Sequence, residues 1–167
     1  MKQISYLLVG CVLVLSACTG AFKKGGDGVE YKIISKGSGK TVGYGNFIQI
    51  HIKQVYNNGT KDTVLLDTRD MMPRIQVLDS LNTPLTYFKI LSQMKKGDSL
   101  ILRILTDSAF KKNPQEMPPF MKKGKYLFTH VSMVNIFETQ AQADSANKAE
   151  RIAAKPRIYQ NQLTEIE

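Results

Sequence analysis

Leu91-Ser-Gln-Met-Lys-Lys-Gly-Asp98 is the stretch on which the reading of this chain turns. Upstream, Leu85, Phe88, Leu91 and Met94 recur at spacing three and make one apolar helical face. Thr83 is the expected N-cap, with Pro84 at the first helical position, where its missing donor costs nothing. The helix is predicted to run to Gln93 or Met94. Lys95 and Lys96 then place cations over its carboxyl end, and Gly97 stands just past it. Downstream, Ser99-Leu-Ile-Leu-Arg-Ile-Leu105 reads as a strand following a tight Gly-Asp turn. One short helix is thus tied closely to one strand.

Working outward, the other patterned stretches are all strands. Val29-Glu-Tyr-Lys-Ile-Ile34 alternates apolar and polar residues, and Asn46–Tyr56 does so through Ile48, Ile50 and Ile52. Asn58-Gly59 supplies a hairpin turn, Thr63–Asp67 the returning strand, and Arg74–Leu78 another short one. Glycines 37, 39, 43 and 45 punctuate a connection. A long segment, Thr106–Lys125, is interrupted by Pro114, Pro118 and Pro119, and Tyr126–Phe137 is the last strand. Glu138–Glu167 is a charged, helical tail; its stretch from Ala141 to Ala154 reads as a polar helix with little face to bury. One helix against a mostly antiparallel sheet predicts an α+β layer pair.

Several phrases in this order resemble the FKBP-type peptidyl-prolyl isomerases. The octapeptide 91–98 resembles their helix-ending Met-Lys-x-Gly-Asp/Glu phrase. Asn58-Gly59 and Leu66-Asp67-Thr68 resemble the turn glycine and the Phe-Asp-Ser phrase. Asp107-Ser-Ala-Phe110 resembles Tyr-Ala-Tyr, and Met117-Pro-Pro119 resembles Ile-Pro-Pro. Leu127-Phe128 falls where the family has the phenylalanine of its final strand, and Val29–Ile34 is similar to the lead-in of exported members. The resemblance covers residues 28–137. It implies an antiparallel twisted sheet wrapped around one short helix, followed here by the helical tail 138–167.

The implied chemistry needs no nucleophile, metal or cofactor. Rotation about an X-Pro bond faces a barrier of about 18–20 kcal/mol, because amide resonance must be broken. A dry apolar cradle can favour the twisted, less polar amide over the planar one. The resemblance places Ile52, Leu66, Asp67, Tyr87, Phe110 and Phe128 at the catalytic pocket. It places Met117, Ile75 and Phe88 beside the substrate. Several of these positions carry aromatic residues in the family and aliphatic ones here, so the pocket is expected to be wider and less aromatic. Two functions stand side by side: an isomerase acting on proline-containing polypeptides, and a non-catalytic binding or chaperone module. The methionines at 71, 72, 117 and 121 suit the second, since such side chains adapt to varied partners. His51 and His130 lie within strands and carry no assigned chemistry.

The two ends of the chain speak to location. Lys2, the apolar run 4–15 and Ser16-Ala17-Cys18 read as a signal peptide over residues 1–17. Leu15-Ser-Ala-Cys18 resembles a lipoprotein lipobox, which makes Cys18 the lipidation site and anchors the protein in a membrane. With Cys11 in the cleaved segment, the mature domain keeps no thiol for a disulfide. Residues 18–27 read as a lipidated tether. Thr19, not aspartate, follows the cysteine, which favours the outer membrane facing the periplasm. The formal net charge is +9, but the lysines are scattered in pairs beside turns, so no nucleic-acid partner is expected. The C-terminal helix is a candidate for self-association or for the remnant of a two-domain plan.

Overall fold

The strand Phe47–Asn57 is the spine of the molecule, because it accepts a partner on each side. The computed structural model describes residues 21–164, so the signal-peptide and Cys18 readings lie outside the described residues. The chain begins with β1 (Lys23–Lys24), β2 (Val29–Ile34), β3 (Ser38–Thr41), β4 (Phe47–Asn57), β5 (Asp62–Asp67) and β6 (Arg74–Val77). Helix α1 (Leu85–Leu91), β7 (Lys95–Lys96) and β8 (Ser99–Leu105) follow. Next come α2 (Thr106–Ala109), a 3-10 turn at Pro114–Glu116, β9 (Tyr126–Phe137) and α3 (Gln140–Thr164).

The main sheet runs β1-β2-β8-β9-β4-β5, every pairing antiparallel, with β6 also on β4. Lys53–Asn57 of β4 pair with β5, whereas Phe47–Ile50 pair with β6. One long strand therefore serves two short ones in succession. The glycine-punctuated connection contains a strand the sequence pattern did not suggest, since β3 pairs with β7 as a separate ribbon. The expected α+β class, with the sheet packed around one short helix, is what the structure shows. Ile48, Ile50, Leu100, Leu102, Val131 and Met133 of the concave sheet face meet Ile90, Leu91 and Met94. Burying each such side chain contributes about 1.5–3 kcal/mol.

Helix α1 departs from the expected pattern. Leu85 is 66% exposed, and the buried stripe is Ile90, Leu91 and Met94, with Tyr87 partly covered. A spacing-three series drifts by about 60° at each step against the 3.6-residue period, so Leu85 and Leu91 fall on different faces. Pro84 is itself the N-cap, not the first helical residue. The Thr83 hydroxyl is buried without a partner among the described residues, while the Asp79 carboxylate accepts the Leu81 and Asn82 amides.

Asp98 explains why the octapeptide decides the fold. Its buried carboxylate accepts the amides of Gly37 (2.8 Å), Lys95 (2.8 Å) and Lys36 (3.0 Å), and the Ser35 hydroxyl (3.4 Å). Burial raises its pKa, but the amides of Gly37, Lys95 and Lys36 with the Ser35 hydroxyl outweigh it and hold the group below its ordinary value. The approach is tight enough that a Cβ at Gly37 would lie 2.1 Å from the Lys96 carbonyl oxygen. Gly97 takes φ +89°, a left-handed conformation suited to glycine.

Both ends of the domain are more structured than the sequence suggested. Lys23 and Lys24, within the expected tether, pair with Tyr31 and Glu30. Helix α3 extends well past Ala154, contacts β4 and β9, and has Ala143 and Ala154 buried. Arg157 donates to the Met71 carbonyl at 3.1 Å and pairs with Glu150 at 3.0 Å. A helix that looked too polar to pack meets the sheet all the same.

Candidate functional site

Beyond the core, the concave face opens into a groove of about 1170 Å³ under the 106–125 segment. The opening follows one cross-strand ladder between β4 and β9. Ile50 faces Met133, Ile52 faces Val131, and then Gln54 faces Thr129. Strand alternation puts all six on the same side. Ile50, Val131 and Met133 are buried, whereas Gln54 is exposed and lines the groove with Thr129. Tyr87 of α1, Ile104 of β8, Leu127 of β9 and Phe110 after α2 supply apolar walls.

The overhanging segment is held at defined points. The Thr106 amide donates to the Lys125 carbonyl and its hydroxyl to the Lys122 carbonyl, each at 2.8 Å. The Lys122 amide donates to the buried Tyr56 hydroxyl at 2.9 Å, and Phe120 packs edge-on against that ring. The Phe110 amide donates back to the Thr106 carbonyl at 3.0 Å, which fixes where its ring leaves the backbone. Burial, with Asp27 nearby, pushes the Tyr87 phenol above its ordinary pKa and keeps it neutral. The result is a cleft with apolar walls, neutral polar side chains such as Gln54 and Thr129 able to meet peptide carbonyl or amide groups, and charged groups at its border: Asp27, Lys111, Lys112 and Glu116.

The sequence-derived residues divide. Tyr87 and Phe110 face each other's cleft. Ile52 lies one step deeper, packed against the core, and Gln54 takes its place at the opening. Leu66 is not at the groove; Leu65 is, because a bulge in β5 leaves it opposite no residue of β4. Phe128 borders the cleft, but its ring packs between Tyr126 (5.9 Å) and His130 (6.4 Å) on the convex side. The concave position belongs to Thr129, since one residue along a strand reverses the face. Phe88 packs edge-on against Tyr44 at 5.9 Å. Ile75 pairs with Gln49, on the side opposite Ile48 and Ile50. Met117 ends the 3-10 turn without reaching the groove, where the buried Met121 does.

Asp67 also stands on the convex side, paired across the strands with Lys53. It accepts the Arg69 guanidinium in a forked contact and lies 3.6 Å from Lys53. The side-chain bond from Arg69 holds its carboxyl well below the usual range, against the opposing effect of burial. A second hollow of about 650 Å³ lies here, bordered by His51, Phe128 and His130. Burial, then Lys53 and Arg69, lower the pKa of His130.

Gln54, Leu65, Ile104, Leu127 and Thr129 are among the groove residues that sequence reasoning did not assign to the site. Leu127 and Thr129 were within its reach, by counting back in twos from the apolar Val131 and Met133. The phrase match at Phe128 pointed one residue aside.

No protein-family model matches the sequence, and no curated protein matches it significantly. Among solved structures, the chain is similar to FkpA from Escherichia coli, with TM-score 0.50 and 19% identity over 70% of this chain and 51% of that one. It therefore spans about half the length of FkpA. It is also similar to a peptidyl-prolyl cis-trans isomerase from Pseudomonas syringae pv. tomato, with TM-score 0.50 and 14% identity. That match covers 70% of this chain and 80% of the other. The shared feature is the FKBP-like fold.

Proposed function

We propose, from this FKBP-like fold, that the protein is a peptidyl-prolyl isomerase of the cell envelope acting on proline-containing polypeptides. The observation that carries the reading is the apolar groove walled by Tyr87, Ile104, Phe110 and Leu127 between α1, the sheet and the clamped 106–125 segment. A prolyl ring seated there leaves water, and the twisted amide, less polar than the planar one, loses less by that transfer. The side chains of Gln54 and Thr129 sit where a substrate backbone group would pass. In this proposal Cys18 carries the lipid, and the domain faces the periplasm from the outer membrane.

A second reading is a non-catalytic peptide-binding module of the same envelope. It is favoured by the polar Gln54–Thr129 pair at the opening and by Asp67 being turned toward Lys53 and Arg69 instead of the groove. A prolyl-isomerisation assay with the purified protein, across peptides varying the residue before proline, separates the two. Acceleration that falls about tenfold in Phe110→Ala and Tyr87→Ala supports the enzyme. An unchanged rate, with the same peptides bound and the protein folded, supports the module.

A further inference from the structure

We propose that the groove selects polypeptides with acidic residues close to the proline. This rests on the groove being the polypeptide site proposed above, and it names which polypeptides bind. The 106–125 segment that overhangs the groove carries Lys111, Lys112, Lys122, Lys123 and Lys125 against two acids, Asp107 and Glu116. Both acids are already engaged within the segment: Asp107 accepts the Gly124 amide, and Glu116 accepts the Asn113 side-chain amide. Asp27, which accepts the Thr86 hydroxyl, and Glu116 also border the groove, so its immediate lining carries two lysines and two carboxylates, and the positive excess comes from Lys122, Lys123 and Lys125 of the overhanging segment. None of the five lysines forms an ion pair among the described residues.

Lys111 and Lys112 line the groove directly and are exposed, and Lys122 and Lys123 follow the groove residue Met121. Their ammonium groups sit on long stems, so they can follow a bound chain whose proline is held by the apolar walls. An extended chain advances about 3.3 Å per residue, which keeps side chains near the proline within reach of the rim. The apolar walls favour a prolyl polypeptide over a phosphate-bearing polymer, which would gain from the lysines alone.

The test is fluorescence anisotropy on the whole protein with dye-labelled peptides sharing one Leu-Pro core, followed by two Glu, two Gln or two Lys. The Glu peptide is expected to bind about three- to tenfold tighter than the Gln peptide at low salt. That advantage shrinks at about 0.5 M salt, where the screening length falls to a few Å. Lys111→Gln/Lys112→Gln should erase the preference, and Lys111→Glu/Lys112→Glu should turn it toward the Lys peptide. Equal binding of the Glu and Gln peptides overturns the inference and leaves the groove intact. Equal binding of a Glu peptide whose proline is replaced by alanine also overturns it, and reveals a generally basic surface. Failure of every proline peptide to bind overturns the groove reading as well.

Discussion

The two ends of the concave face are built from the same strands and behave oppositely. At the closed end, Ile50 meets Met133 and both are buried against Ile90, Leu91 and Met94. At the open end, Gln54 meets Thr129 and the space above them is a groove. Two causes combine. Helix α1 stops at Leu91 and covers only part of the sheet, and the uncovered rungs carry polar side chains that gain little from being roofed. A core and a binding cleft can thus be successive rungs of one ladder, distinguished by side-chain polarity and by where the helix ends.

The largest way to break this contrast is at the closed end. Asp98→Ala leaves three part-buried amides without their acceptor and should cost about 3 kcal/mol, read as a lower urea midpoint. Next, Met133→Ala should cost about 3 kcal/mol, whereas Thr129→Ala on the same face and strand should stay within about 0.5 kcal/mol. Similar costs for the two would mean that the open end is packed as tightly as the core. Thr129→Phe sharpens the comparison from the other direction. It adds an aromatic wall and should tighten binding of a proline peptide about threefold, measured by anisotropy, with stability nearly unchanged. Weaker binding would show that the hydroxyl itself contacts the peptide.

The smallest effect concerns acid. The folded-state pKa of Asp98 is depressed, so its contribution is fully present above the unfolded value of about 4. That contribution is lost as pH falls through the lower folded value. Urea midpoints measured from pH 6 to 3 should therefore decline more steeply for the native protein than for Asp98→Asn. Parallel declines would assign the acid limb to other carboxylates, with Asp67, also depressed by its Arg69 contact, the first to examine.

The sequence by itself determined the order of β2, β4, β5, β6, β8 and β9, the single helix of the core, and the bounds of the last strand, because alternation and turn residues act locally. Tyr126–Phe137 was legible to the residue. It also pointed to Tyr87 and Phe110, which face the groove, because a helix and a short phrase bring their own local geometry. Tertiary structure decided the rest. Phe128 and Thr129 trade faces by one step of pleat, Leu65 replaces Leu66 through a bulge, and Gln54 replaces Ile52 by the reach of α1. The alanines of α3 carried no amphipathic signal, yet Ala143 and Ala154 are buried, and which residues of a near-uniform polar helix are covered depends on what it packs against. Such choices turn on register and on the distance between elements far apart in sequence, and a local pattern does not encode either one.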